Sequence, residues 1–174
     1  MSIDERSSGG VIVAPYEASH RAAALDVAIR SWEPVFPRMR EAVPHFVYDN
    51  FYPDGWRARQ AADLAQVLDE EPDNVDVAML DGVVVGWVCT RFHPEDSMGE
   101  VYVITVAPEY QRRGVGRALM EHAHDRVRRA GMRIIMVETG GDPGHAPARA
   151  AYEATGYQRW PVARYFKDLT SDAN

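Results

Sequence analysis

The sequence predicts an α/β protein, a mixed β-sheet with helices on its faces. Three observations carry that prediction. Of 174 residues, 46% are apolar and 10% aromatic, enough to bury a core without disulfides or metals. Strand-type patterns occupy the middle of the chain and meet at Asp81-Gly82, a dipeptide suited to a tight hairpin turn. The patterns then alternate between strand and helical spacing, in the order strands, helix, strand, helix, strand. One domain is expected over residues 1–174, with tails at 1–10 and 169–174.

Val11 to Pro15 is a short apolar run suited to a first strand. Ser19 can cap a helix reaching Trp32, in which Ala22, Leu25, Ala28, Ile29 and Trp32 recur at helical spacing. Residues 33–56 combine Pro34, Pro37, Pro44 and Pro53 with Phe36, Phe46, Tyr48, Phe51, Tyr52 and Trp56. Because proline breaks helices, this stretch is expected to be irregular, its aromatics forming either a pocket wall or a packing anchor. Arg57 to Glu71 reads as a helix with Ala61, Leu64, Ala65 and Leu68 on one side. Val75 to Leu80 and Val83 to Cys89 are the hairpin strands. In the next strand, Glu100 to Val106, residues Glu100, Tyr102, Ile104 and Val106 are expected on one face, and Val101, Val103 and Thr105 on the other. A helix opening at Gly114 or Gly116 carries the apolar stripe Leu119, Met120, Ala123, Val127 and Ala130, and Gly131 closes it. Ile134 to Val137 is a strand, Pro147 to Thr155 a short helix ended by Gly156, and Tyr157 to Asp168 one or two final strands.

Charge narrows the function classes. The net charge is −7, with 18 Arg and a single Lys. Residues 49–109 hold 13 acids against 3 Arg, whereas residues 110–133 hold 7 Arg against 2 acids. Overall acidity argues against a nucleic-acid partner. No run approaches the ~18 apolar residues of a membrane span, and the N-terminus lacks the basic and apolar regions of a secretory signal. With Cys89 alone, no internal disulfide is possible, so a cytoplasmic protein is expected. His122 and His124 point different ways on a helix, His20, His45 and His93 are isolated, and no metal site is expected. Cys89 sits in an apolar strand and reads as a small hydrophobe.

The Arg-rich segment has two readings, a solvated face or an anion site, and its glycines favour the second. In Val106-Ala107-Pro108-Glu109-Tyr110-Gln111-Arg112-Arg113-Gly114-Val115-Gly116-Arg117-Ala118 a strand ends and a glycine-bearing loop opens a helix. Unpaired N–H groups and the positive end of the helix dipole make such a start a phosphate site. Glycine removes Cβ atoms that would hold a phosphate off the backbone. A nucleotide-hydrolase loop needs Gly-Lys-Ser/Thr, but the only lysine is Lys167. A dinucleotide loop needs a third Gly or Ala where Leu119 stands, and it would follow the first strand.

Gln111-Arg112-Arg113-Gly114-Val115-Gly116 instead closely resembles the acetyl-CoA pyrophosphate loop of the GNAT (Gcn5-related) N-acetyltransferases. Downstream, Ala148-Arg149-Ala150-Ala151-Tyr152-Glu153-Ala154-Thr155-Gly156-Tyr157 is similar to that family's second cofactor segment. The resemblance implies a sheet of about seven strands splayed between its fourth and fifth, here Glu100–Val106 and Arg133–Thr139. Pantetheine would pair with the backbone of Ile104, Thr105 and Val106, and pyrophosphate would sit on the amides of Arg112 to Ala118 beside Gln111. Where the family often has a cofactor-contacting Asn, this chain has His145.

Transfer from a thioester to an amine needs a group to take the amine proton and one to protonate the departing thiolate. The resemblance assigns the second role, with a cofactor contact, to Tyr152. Glu100 leads for the base, matching the histone-acetylating branch; Glu33, Glu138 or bound water are the alternatives. Acceptor contacts are expected from Trp32, Glu33, Phe36, Tyr102 and Glu138. The expected activity is direct acetyl transfer from acetyl-CoA, or another short acyl-CoA, to a primary amine of a small molecule, by a monomer or homodimer. A protein N-terminus or lysine is the second acceptor class. A non-catalytic acyl-CoA sensor is the reading from outside enzymes.

Overall fold

The computed structural model describes residues 10–170; the expected tails lie outside them apart from Gly10, Leu169 and Thr170. Within these bounds the chain forms two compact units, residues 10–31 with 63–138 and residues 32–62 with 139–170.

The first unit holds a five-stranded sheet, β1 (Ile12–Pro15), β2 (Val75–Leu80), β3 (Val83–His93), β4 (Met98–Val106) and β5 (Ile134–Val137), paired in that order. The hairpin turn forms as expected: Asp81 and Gly82 have φ of 50° and 77°, and Leu80 faces Val83. Neighbours from β1 to β4 are antiparallel, and β5 lies parallel to β4. β3 runs past Cys89 to His93, longer than its apolar run, because Thr90 to His93 continue the ladder with β4.

One irregularity changes the faces of β4. Cys89 pairs with Val103 and Thr90 with Val101, so Tyr102 has no partner residue on β3. This is a β-bulge, and an extra residue reverses the in-out parity beyond it. Glu100 and Tyr102 therefore share the face of Arg91, while Val106 faces the other way with its partner Gly86, against the helix α5 (Val115–Arg129). The expected single face of Glu100, Tyr102, Ile104 and Val106 is corrected accordingly. A bulge is invisible to a period-two count within one strand.

α5 lies on the sheet through two glycines. A Cβ on Gly86 would come 2.7 Å from the Thr105 carbonyl and 3.1 Å from Leu119 Cδ1, and one on Gly99 would collide with Val127 Cγ2. Val115, Leu119, Met120, Ala123 and Val127 are buried there, whereas Ala130 is exposed at the C-cap. Gly131, φ 75°, ends the helix: its N–H bonds the Arg128 carbonyl and the Met132 N–H that of Val127. On the opposite face, α1 (Arg21–Trp32) is fixed by Trp87, whose buried Nε1–H donates to the Ala24 carbonyl at 2.9 Å. Burying each large apolar side chain such as Trp87, Leu68 or Leu119 contributes ~1.5–3 kcal/mol. Glu17 rather than Ser19 precedes the 3₁₀ turn leading into α1, its N–H donating to His20 Nδ1 at 3.1 Å.

The second unit corrects the expectation of an irregular 33–56 stretch. It forms α2 (Val35–Ala42), α3 (His45–Phe51) and the start of α4 (Trp56–Glu70). The prolines punctuate helices rather than break them. Pro34 and Pro44 occupy N-caps and Pro37 lies in the first turn of α2, where a missing N–H costs nothing. Phe36 is buried and stacks on Trp56 at 4.3 Å, with Tyr52 and Trp32 edge-on at 5.4 and 6.3 Å. Tyr48 is buried beside Tyr52. At Phe36 and Tyr48 the aromatics are a packing anchor. α6 (Ala146–Ala154) follows the loop 139–145. The final strands expected over Tyr157 to Asp168 do not form, leaving five strands among the described residues rather than about seven. Pro161 removes a ladder donor there, and Trp160, Val162 and Tyr165 are exposed.

Candidate active site

The loop of Gln111 to Ala118 takes the shape its glycines allow. Arg112 and Gly114 have φ of 59° and 86°, the left-handed region, and Gly114 is the N-cap of α5. The helix thus starts at Val115, with Gly116 inside its first turn. The first intrahelical bond runs from Ala118 N–H to the Gly114 carbonyl at 3.0 Å. The N–H groups of Val115, Gly116 and Arg117 precede it and meet the positive end of the dipole. Arg112, Arg113 and Arg117 are exposed; Arg113 lies 5.2 Å from the Tyr110 ring, and Arg117 pairs with Glu121. Gln111 Nε2 donates to the Val106 carbonyl at 3.1 Å, tying the loop to the end of β4. A Cβ on Gly116 would meet Val106 Cγ2 at an ordinary 3.7 Å, so the backbone here packs closely on that strand end.

The edge of β4 is the second feature. β5 pairs with Met98 to Val101 and no further, while β4 continues to Val106. The two strands part at the bulge, and the β5 side of Tyr102 to Val106 is left without a strand among the described residues. Ile104 and Val106 are partly buried, and Thr105 is buried with its hydroxyl 2.7 Å from Ser31 Oγ. Ser31 itself donates to the Ala28 carbonyl, so Thr105 is the donor of that pair.

Glu100 follows on the Arg91 face. Its carboxylate Oε2 is 2.8 Å from His93 Nε2, with side chains 16% and 32% exposed. His93 pairs with Met98 in the ladder, which puts it diagonally across from Glu100. The expectation that His93 is isolated is therefore corrected; the register of the turn over residues 94–97 was the missing signal. Arg91, directly opposite Glu100, lies over the Tyr102 ring at 3.3 Å and makes two bonds to Glu71, at 2.9 and 2.6 Å.

In the second unit, Asp142 accepts from the Gly144 N–H at 2.9 Å and lies 2.7 Å from His145 Nδ1. Burial opposes ionisation of Asp142, but the His145 hydrogen bond and charge outweigh it and hold the carboxyl below its usual range. Arg149 donates to the Gly140 and Asp142 carbonyls and braces the loop before α6. Tyr152, on α6, is half-buried, and burial raises its phenol above the usual 10.0. Tyr157, its ring 6.0 Å away, is pushed up to about 12, mainly by burial.

A strand edge freed by parting neighbours is followed by a left-handed loop that opens a helix. Residues 32–157 match the acetyltransferase (GNAT) family. The chain belongs to that family. A mycothiol acetyltransferase from Thermomonospora curvata is 35% identical over 61% of this chain and 33% of its own length. The chain thus spans about a third of the length of the first curated relatives it matches. The PaiA N-acetyltransferase of Thermoplasma acidophilum, solved in complex with coenzyme A, superposes with a TM-score of 0.64 over 88% of this chain and 93% of that one, at 11% identity. The ribosomal-protein-S18-alanine N-acetyltransferase of Escherichia coli gives 0.61 over 92% and 86%, at 20% identity. These likenesses show the GNAT fold.

The remaining expected site residues are placed as follows within their own units. Glu33 pairs with Arg57 at 2.8 Å, Glu138 is exposed, and Trp32 is half-buried against Phe36. Tyr102 is 44% exposed. Burial pushes the Cys89 thiol up to about 12, as befits a core residue. Among the described residues no group of three metal-ligating side chains forms, and no helix is long and apolar enough to cross a membrane.

Proposed function

We propose that the chain catalyses direct acetyl transfer from acetyl-CoA to a primary amine of a small molecule. The observation that carries this reading is the parting of β4 and β5 beyond Val101, followed at once by the loop of Gln111 to Ala118. The freed edge of Ile104 to Val106 suits an extended amide-bearing arm, and the N–H groups of Val115 to Arg117 suit a diphosphate. His145, fixed by Asp142, and Tyr152 would complete the contacts from the second cofactor segment. When bound, acetyl-CoA supplies an activated thioester acyl group.

The chain's own residues then manage protons. Glu100 takes a proton from the acceptor ammonium, directly or through water, and frees the nitrogen lone pair. Tyr152, kept protonated by burial, donates to the departing sulfur. Tyr102 and Arg91 border Glu100 and shape the acceptor side. Glu33 and Phe36 are better read as structural, given the Arg57 pair and the stacking on Trp56.

The name mycothiol acetyltransferase, carried by several of the matched relatives, supports a small acceptor over a protein. Thiol release from acetyl-CoA, followed across a polyamine, an arylalkylamine, an amino sugar and a peptide with a free N-terminus, tests the reading. Turnover on a small amine is expected. Turnover on the peptide alone would move the acceptor to proteins, and tight acetyl-CoA binding without any turnover would make the chain a sensor.

A further inference from the structure

We infer that His93 is a positioning residue for Glu100, holding the carboxylate that receives the acceptor proton; the inference rests on the reading of Glu100 as base. The pair is built from two strands. His93 ends β3 and Glu100 lies diagonally across on β4, so the sheet sets their separation rather than a flexible loop. The Nε2 to Oε2 distance of 2.8 Å is that of a charge-assisted hydrogen bond, with the imidazole N–H donating to the carboxylate. Such a bond occupies one oxygen and leaves the other to the acceptor.

Among the described residues His93 is the side chain that hydrogen-bonds Glu100. Arg91, though opposite Glu100 in the ladder, is engaged by both oxygens of Glu71 and by the Tyr102 ring. Met136, the β5 partner of Glu100, has no polar group to offer. On its outer side His93 Nδ1 lies 3.8 Å from Glu95 Oε1, a carboxylate 69% exposed, so the imidazole joins the half-buried Glu100 to a solvated acid. A base whose carboxylate swings loses the near-attack geometry on which amine deprotonation depends; misplacement by ~1 Å can cost ~10²-fold in rate.

The test uses the whole chain and the panel amine that turns over fastest. His93→Ala is expected to lower kcat about tenfold, with the KM for acetyl-CoA and its calorimetric affinity unchanged. His93→Gln, which places an amide N–H within similar reach, should restore most of the rate. In the Glu100→Gln background the His93→Ala change should cost nothing further, because it acts only through that carboxylate. Additive losses in the double variant, a raised KM for acetyl-CoA with kcat unchanged, or a His93→Ala rate equal to the parent would each overturn the inference. Full activity in Glu100→Gln alone would instead overturn the role of Glu100 on which it rests.

Discussion

Single side chains in this protein are defined by partners that sequence spacing does not show. Glu71 is the clearest case. The Arg91 hydrogen bond holds its carboxyl below the usual 4.5, against the opposing effect of burial and with help from Asn74. A carboxyl depressed in the folded state stabilises that state when ionised, so its contribution is complete above the usual carboxylate range and disappears as pH falls through the folded value. Glu71→Gln should therefore cost ~1.5–3 kcal/mol in urea unfolding at pH 7, the scale of a hydrogen bond to a charged group. The gap between parent and variant should close on acidification below 4.5; a constant gap would refute the ion-pair account. Tyr152, proposed as the acid, has the opposite logic, since an acid must be protonated to act and burial raises its phenol above 10.0. Tyr152→Phe should lower kcat about 10²-fold, a typical acid contribution, with little change in acetyl-CoA affinity. In the parent enzyme no alkaline loss of kcat from Tyr152 should appear below about pH 10, and an unchanged rate in the variant would remove the residue from the mechanism.

Elements show what was legible and what was not. The hairpin at Asp81-Gly82, the strand Ile134–Val137 and the helix closed by Gly131 were all readable, because turn and cap chemistry is local to the residues that form it. So was the glycine-bearing loop that opens α5, whose glycines and following apolar stripe lie within one short segment. The β4 bulge and the His93–Glu100 pair were not, since both depend on register between strands. The helices of 33–56 were missed because four prolines look like breakers until each is seen at a helix start or just past a helix end. Two glycines divide along the same line. Gly99 is a packing residue: even alanine would drive a Cβ into Val127, and Gly99→Ala should destabilise the chain by ~1–3 kcal/mol, as overpacking does. Gly116 is proposed as a binding residue: an added Cβ would make only an ordinary 3.7 Å contact with Val106, so Gly116→Asp should leave the melting temperature nearly unchanged while its charge, at the proposed phosphate cradle, abolishes acetyl-CoA binding. Folded protein with undiminished affinity by calorimetry would refute the loop assignment.

Over the whole molecule, the segregation of charge in the sequence has a different meaning once folded. The acidic stretch from 49 to 109 reads as a field suited to a cationic acceptor, yet several of its carboxylates already have arginine partners. Asp69 meets Arg21, Glu71 meets Arg91, Glu109 meets Arg30, and the buried Asp76 meets Arg126 from the basic segment itself. The basic segment likewise divides: Arg117 and Arg128 pair with Glu121 and Asp125 on α5, whereas Arg112 and Arg113 make no ion pair among the described residues. Arg129 and Arg133, at the far end of α5 and just beyond it, are likewise exposed and make no ion pair among the described residues, so the segment's unpaired charge lies at both ends of the helix, one of them the loop proposed for the diphosphate. Exposed charges are screened within a Debye length, about 10 Å at 0.1 M salt. Acetyl-CoA affinity should therefore weaken as salt rises from about 0.05 to about 0.5 M, and Arg112→Ala with Arg113→Ala should both weaken binding at low salt and flatten that dependence. If the backbone cradle alone held the diphosphate, the double variant would bind as the parent does at every salt concentration, and the two arginines would be solvated surface like the rest.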